Sequence, residues 1–175
     1  MEERNDAVTM KGDPITLIGP ELVVGDRAPE FGAVDREWNT VSLSDFSGRP
    51  VLISAMVSVD TSVCSVQTTR FNEEADNLPD EVAILSISRD LPFALDRFCG
   101  AEEIERIHVL SDHVPGEFGP AYGVLIKDMQ LLARAVFVVD KEGRLAYQEI
   151  VPEVTDHPDY EAALEAARKA AGEDG

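Results

Sequence analysis

The sequence predicts an α/β protein, a three-layer sandwich with helices on both faces of a central sheet and an N-terminal β-hairpin extension. Residues 51–59 and 81–88 are almost continuous apolar runs, as expected for strands buried on both faces. Each run is followed by a stretch with helical signals. Alternating strands and helices indicate a largely parallel sheet covered on both sides. With 175 residues, we expect one domain spanning residues 1–175.

The first elements follow from local patterns. Residues 7–18 predict the hairpin, because two β-rich runs flank Gly12-Asp13-Pro14. After the strand at 51–59, a helix ending at Pro79 is expected. Its predicted buried face comprises Val63, Val66, Phe71, Ala75 and Leu78.

A second, shorter helix is expected at residues 91–100. Pro92 suits its first turn, and Gly100 suits the left-handed position that ends a helix. A short strand is predicted at 107–112. This completes a β-α-β-α-β series.

The C-terminal part predicts a hairpin and a helix. Strands at 131–140 and 143–151 meet at an Asp-Lys-Glu-Gly turn, which adds antiparallel strands at one edge of the sheet. Residues 157–175 are rich in Ala and Glu and predict a helix with Pro158 at its entry.

The net charge of the chain limits the kinds of molecule that we expect it to bind. The chain has 34 acidic and 15 basic residues and a formal charge of −19, so we expect neither nucleic acid nor an anionic membrane surface as a partner. We interpret the charge as a strongly solvated surface, and adaptation to high salt is the alternative. The sequence shows no secretory signal and no apolar stretch of about 18 residues, so a cytoplasmic location is expected.

Cys64 is the first candidate for chemistry. It follows a buried strand and lies where a helix begins, a position at which reactive groups gather in α/β sheets. The positive end of a helix favours a thiolate, which is the nucleophilic form. Asp60 or Thr61 could cap this helix, and the Thr61 hydroxyl could reach the sulfur. The alternative is an inert, buried cysteine.

Cys99 and Arg134 are the other candidates. Cys99 is predicted in the last turn of a short helix, where fraying would let it meet another sulfur; simple packing is the alternative. Arg134 lies in an apolar run, and a buried guanidinium needs a partner: the Cys64 thiolate or a surface carboxylate. Arg70 is a weaker candidate cation. Neither a metal nor a cofactor is expected, because two cysteines 35 positions apart make a poor zinc site.

Several stretches resemble the thiol peroxidases, a two-cysteine branch of the peroxiredoxins. "VTMKGDPITL" resembles the N-terminal hairpin of that family, and "VGDRAPEF" resembles the opening common to peroxiredoxins. "VDTSVC" resembles the stretch around the peroxide-reacting cysteine, and "SRDLPFALDRFCGAEE" the stretch around the resolving cysteine. "LLARAVFVVD" carries the arginine of the family, and "DHPDYEAALEAAR" resembles its last helix. The resemblance covers nearly the whole chain.

The resemblance implies a fold, an activity and a role for each candidate residue. The fold would be thioredoxin-like, and the activity reduction of hydrogen peroxide and alkyl hydroperoxides. Cys64 would be the peroxidatic thiolate, Thr61 would orient the peroxide, and Arg134 would favour the thiolate and steady the departing oxygen. Cys99 would resolve the sulfenic acid as an intrachain Cys64–Cys99 disulfide. The family further implies a homodimer that a thioredoxin-like dithiol protein reduces.

One departure from the family keeps other functions open. Val57 stands where the family carries a proline, seven residues before Cys64. The alternative is therefore a redox-sensing or binding module with weak peroxidase activity. A general thiol–disulfide oxidoreductase is disfavoured, since Gln67 stands where a C-x-x-C pair needs its second cysteine. A purely structural domain of the same fold is the remaining interpretation.

Overall fold

The computed structural model describes residues 2–172. Within this range the strands are β1 (Glu3–Met10), β2 (Asp13–Ile18), β3 (Gly32–Val34), β4 (Thr40–Ser42), β5 (Val51–Ala55), β6 (Ala83–Ser88), β7 (His108–Ser111), β8 (Leu125–Ile126), β9 (Ala135–Val139) and β10 (Leu145–Ile150). The helices are α1 (Ser62–Glu74), α2 (Pro92–Glu102), α3 (Phe118–Ala121) and α4 (Tyr160–Ala170). None of the helices in residues 2–172 has the length and apolar character that crossing a membrane requires.

The central sheet is mixed rather than largely parallel. Its strand order is β10-β9-β5-β6-β7-β3-β4. Only the β5–β6 and β6–β7 pairs are parallel among its described pairings, so that part of the prediction is wrong. The reason is that β9 pairs antiparallel with β5 and β3 pairs antiparallel with β7. The β9–β10 and β3–β4 hairpins then extend the two edges with further antiparallel strands. The predicted hairpin at one edge is confirmed in β9 and β10.

Helices α1 and α4 cover one face of the sheet. Gln67 of α1 donates from Nε2 to Ser54 Oγ of β5, so α1 lies on the face to which Ser54 points. The Phe71 ring of α1 is 5.4 Å from the Tyr160 ring of α4, so the two helices lie side by side. The cysteine-bearing entrance of α1 therefore lies over the carboxyl edge of β5.

An aromatic cluster covers the opposite face. Phe137 of β9 pairs with Ile53 of β5, the neighbour of Ser54, so Phe137 points away from α1. Its ring lies 5.1 Å from the ring of Tyr122, which stacks on Phe118 of α3 at 4.7 Å. The predicted three-layer sandwich is confirmed.

The N-terminal extension forms a second, three-stranded sheet in the order β1-β2-β8. The predicted hairpin is confirmed, although its first strand begins at Glu3 rather than near residue 7. Lys11 and Gly12 form its turn with φ values of 51° and 85°, as a tight two-residue hairpin requires. Asp13 and Pro14 already lie in β2.

The extension also holds the segment that follows β10. The Thr9 amide donates to Pro152 O at 2.7 Å, and Thr9 O accepts from the Val154 amide at 2.8 Å. The Glu153 carboxylate accepts from the Lys11 and Gly12 amides at 3.1 and 2.9 Å. Segment 152–155 is thus attached to the hairpin by both backbone and side chain.

The buried face of α1 is more polar than predicted. Its buried residues are Cys64, Gln67, Thr68, Phe71 and Asn72. The prediction was wrong for Val66, which is 52% exposed. Apolar periodicity misplaced this face because buried amides and hydroxyls of α1 make hydrogen bonds inside the protein, which offsets the cost of burying them.

The other predicted helices occur with different ends. Helix α2 continues through Gly100, and Glu103 takes the left-handed position with φ 56°. Glycine permits that conformation but does not require it. In α4 the N-cap is Asp159, whose side chain accepts from the Ala162 amide. The last three residues of the predicted C-terminal helix lie outside the described part of the chain.

Candidate active site

Cys64 lies in the first turn of α1. Strand β5 ends at Ala55, a loop follows, and α1 begins at Ser62 with Thr61 as the N-cap. The Cys64 side chain is fully buried at 0% exposure. The sulfur therefore lies beside the unpaired amides and the positive end of the helix dipole.

Arg134 contacts the Cys64 sulfur. It directly precedes β9, is 2% exposed, and places Nη1 3.2 Å from Cys64 Sγ. The same nitrogen donates to Gln67 Oε1 at 2.7 Å, and Nε donates to Val154 O at 2.8 Å. A buried guanidinium is costly without such partners, and these three contacts offset that cost.

Gln67 fixes the direction of that guanidinium. Its Nε2 donates to Ser54 Oγ at 2.6 Å and to Ala55 O at 3.3 Å, so Oε1 must face Arg134. An amide is neutral, and it therefore orients Arg134 without cancelling the positive charge beside Cys64. This role was not predicted from the sequence, although the i,i+3 spacing from Cys64 places both residues on one helix face.

Ser58 is the second residue that the sequence argument missed. Its amide donates to Cys64 Sγ at 3.5 Å. Its carbonyl accepts from the Thr61 hydroxyl at 2.8 Å. Among the described residues, Ser58 and Arg134 are the donors to this sulfur. The loop between β5 and α1 therefore supplies one donor to the sulfur and orients the Thr61 hydroxyl.

Thr61 is the N-cap of α1 by position, but its side chain does not cap the helix. Because its proton goes to Ser58 O, the lone pairs of the hydroxyl remain free to accept a proton donor. Asp60, the other predicted cap, instead lies 3.3 Å from Nη2 of exposed Arg97.

Val57 lies next to Ser58 and is 6% exposed. It packs into the hydrophobic core. An apolar side chain at this position excludes water from the loop, as a proline would. Unlike a proline, valine does not fix φ.

Cys99 lies in the last turn of α2 and is 2% exposed. Burial raises the pKa of the Cys99 thiol, and the positive charge of Arg36 opposes that increase. Both Cys99 and Cys64 are free thiols, so no disulfide joins them in this structure.

Arg70 has other partners. Its guanidinium contacts Glu161 at 2.8 Å and Glu74 at 3.5 Å, and it lies 5.0 Å from the centre of the Tyr160 ring. Burial raises the pKa of Tyr160. Arg70 therefore joins α1 to α4 and is not among the groups that contact Cys64.

Comparison with known proteins identifies the family. The model of the redoxin family matches residues 23–164. A solved peroxiredoxin-like protein from Aquifex aeolicus superposes with a TM-score of 0.89 at 39% identity, covering 94% of this chain and 97% of that one. A thiol peroxidase from Chromobacterium violaceum shares the fold, with a TM-score of 0.82 at 24% identity over 94% of this chain and 97% of that one. The chain belongs to the redoxin family and has the predicted thioredoxin-like fold.

Proteins with similar sequences show which branch of the family the chain resembles. A thiol peroxidase from Listeria innocua is 54% identical over 163 residues, covering 93% of this chain and 98% of that protein. A thiol peroxidase from Bacillus subtilis is 50% identical over 161 residues, covering 92% and 96%. The resemblance seen in the sequence motifs is confirmed, and the chain is a peroxiredoxin-type enzyme, a peroxidase.

Proposed function

We propose that this enzyme reduces hydrogen peroxide and alkyl hydroperoxides through a Cys64 sulfenic acid and an intrachain Cys64–Cys99 disulfide. The observation that carries the proposal is the contact of 3.2 Å between Arg134 Nη1 and Cys64 Sγ in a buried site at a helix entrance. Such a site favours the reactive thiolate and excludes bulk water.

In the first step, the Cys64 thiolate attacks one peroxide oxygen. An S–O bond forms, the O–O bond breaks, and the other oxygen leaves and takes a proton as water or alcohol. Arg134 donates to the oxygens as negative charge develops, which stabilises the transition state. Thr61 accepts from the peroxide O–H, since its own proton is held by Ser58 O.

In the second step, Cys99 attacks the sulfenic sulfur and water leaves. Formation of the disulfide requires the two Cα atoms to come within about 7 Å. Both thiols are buried in the free form, so the first turn of α1 and the last turn of α2 must open. Helix ends open at low free-energy cost, which supports this route.

The disulfide is then reduced by a dithiol protein of the thioredoxin type. Thiol–disulfide exchange returns both cysteines to the thiol form without any bound cofactor. We place this cycle in the cytoplasm, where dithiol systems keep cysteines reduced. We also propose that the enzyme is a homodimer, on the strength of the family resemblance.

Stopped-flow oxidation tests the proposal. The reduced protein, its Cys64→Ser variant and its Cys99→Ser variant are mixed with hydrogen peroxide and with cumene hydroperoxide. We expect fast oxidation in the parent and in Cys99→Ser, and none above background in Cys64→Ser. Turnover with a dithiol protein should be lost in Cys99→Ser.

The alternative is a redox-sensing module with weak peroxidase activity. Val57 favours it, because the loop before Cys64 lacks the restriction of φ that proline imposes. Oxidation of the parent no faster than that of a free thiol at the same pH would support the sensor and contradict the efficient enzyme.

A further inference from the structure

Asp90 gathers three hydrogen-bond donors at the carboxyl edge of the sheet. Ser58 Oγ donates to its Oδ1 at 2.7 Å, and the Val59 amide and Ser88 Oγ donate to its Oδ2 at 2.9 and 2.7 Å. An ionised carboxylate only accepts hydrogen bonds, and bonds to it are shorter and stronger than neutral ones. The loop before Cys64 is therefore fastened to a charged group outside the site described above.

Asp90 holds Ser58, the residue that faces both Cys64 and Thr61. The Ser58 amide lies 3.5 Å from Cys64 Sγ, and the Ser58 carbonyl accepts the Thr61 hydroxyl proton at 2.8 Å. A displacement of Ser58 would move a donor away from the sulfur. It would also turn the hydroxyl that we expect to meet the peroxide.

Asp90 itself has a rigid support. Ser88 is the last residue of β6, and the Ser111 hydroxyl at the end of β7 donates to Asp90 O at 2.6 Å. Strands β5, β6 and β7 are parallel neighbours, so their carboxyl ends lie at one edge. The sheet thereby fixes Asp90, and Asp90 fixes the loop.

We propose that Asp90 is a positioning residue for the peroxide step. By holding Ser58, it aims the Ser58 amide at the sulfur and keeps the Thr61 hydroxyl directed as an acceptor. The proposal rests on the proposed roles of Cys64 and Thr61. Asp90 does not touch the reacting atoms and acts through Ser58, whereas Arg134 contacts the sulfur independently of Asp90.

The test compares two reactions of Cys64 in a Cys99→Ser background. Peroxide reduction needs aligned oxygens, whereas alkylation by iodoacetamide needs only a thiolate that the reagent can reach. We expect Asp90→Ala to slow the peroxide reaction by at least about tenfold, because small misplacements at a reacting centre have effects of that size. The rate of alkylation should change by less than about threefold, because Arg134 stays beside the sulfur.

Asp90→Asn should restore the peroxide rate to within about threefold of the parent, because an amide can accept on one side and donate to Ser58 Oγ on the other. The matched control is Asp60→Asn. It removes a carboxylate from the loop before Cys64 that Asp90 holds, but an exposed one, paired with exposed Arg97. We expect it to leave both reactions unchanged.

Two results would overturn the role of Asp90 alone: an undiminished peroxide rate in Asp90→Ala, or an equal loss in both reactions together with a lower melting temperature. The second would assign Asp90 to folding only. A parent that reacts with peroxide no faster than Cys64→Ser would instead contradict the proposed function, and the role of Asp90 with it.

Discussion

Gln67 keeps Arg134 beside Cys64 without neutralising it. The amide accepts from Arg134 Nη1 at 2.7 Å, and its other end is fixed by Ser54. A carboxylate of the same shape would bind the guanidinium as a buried ion pair. The choice of amide over acid therefore decides how much positive charge Cys64 experiences.

Gln67→Glu should slow the reaction with peroxide at pH 7 by at least about tenfold, which corresponds to about 1.4 kcal/mol. Unit charges about 4 Å apart interact by roughly 4 kcal/mol at an effective dielectric constant of 20, so the new carboxylate competes strongly with the thiolate. Stopped-flow rates at pH 7 measure this.

Val66→Glu is the matched control for that experiment. It adds the same charge to the same helix on a side chain that is 52% exposed, so solvent screens it. An equal loss of rate in both variants would show that net charge on α1, rather than the contact with Arg134, controls the reaction.

Candidate site residues could be predicted from the sequence where the residue type is unusual for its position, and not where it is common there. Cys64 and Arg134 stood out because a thiol at a helix entrance and an arginine in an apolar run both need an explanation. Gln67 and Ser58 are common residues on a helix and a loop. Their roles depend on which atoms the folded chain brings within 3.5 Å.

Helix α2 is held by the turn at residues 35–39. The Trp38 ring lies 5.5 Å from the ring of Phe93, and Arg36 pairs with Asp96 at 3.6 Å. Trp38 adopts a positive φ of 69°, which is unfavourable for a bulky residue and persists only where other contacts compensate. If α2 opens to release Cys99, its contacts with this turn must change.

Trp38 is the only tryptophan of the chain, so its fluorescence should report that opening. We expect one equivalent of peroxide to change the emission of the reduced parent at the rate at which the disulfide forms. A dithiol reductant should reverse the change. The Cys99→Ser variant, which forms no such disulfide, should lack this phase.

The loss of two thiols is verified in the same sample. If the Trp38 emission is then unchanged, this prediction is contradicted. It would mean that α2 stays helical at Phe93 and that only its last turn moves. The end of this helix was hard to predict from Gly100, because the helix continues past that glycine and ends at Glu103.

The chain after the hairpin makes a close backbone approach to the segment between α3 and β8. Gly123 has φ +69°, and a Cβ there would lie 2.1 Å from Pro20 O. Arg4 of β1 reinforces the junction by donating to Gly19 O at 2.6 Å and to Gly123 O at 3.0 Å. The hairpin is thus joined to the segment that follows α3 where only glycine fits.

Gly123→Ala should lower the free energy of unfolding by more than about 2 kcal/mol, since it combines an unfavourable φ with a backbone clash. Gly12→Ala is the control. It has φ +85° but no atom within 4 Å of the added Cβ, so we expect a loss of about 1 kcal/mol from φ alone. Urea unfolding measures both, and equal losses would contradict the role assigned to the clash.

At the level of the whole molecule, sequence periodicity predicted the layers but not the strand order. Buried runs such as 81–88 identify strands because both faces are covered. Pairing depends on long-range contacts that periodicity does not encode. Strand β8 has two residues, too few for any pattern, and yet it completes the hairpin sheet.

The attachment of the hairpin to segment 152–155 extends the influence of the N-terminus to the sulfur of Cys64. Thr9 O holds the Val154 amide at 2.8 Å, and Val154 O receives the Arg134 Nε proton at 2.8 Å. A chain of contacts therefore runs from β1 through Val154 and Arg134 to Cys64. A purification tag or truncation that disturbs β1 would alter peroxide reactivity, although it lies far from Cys64 in the sequence.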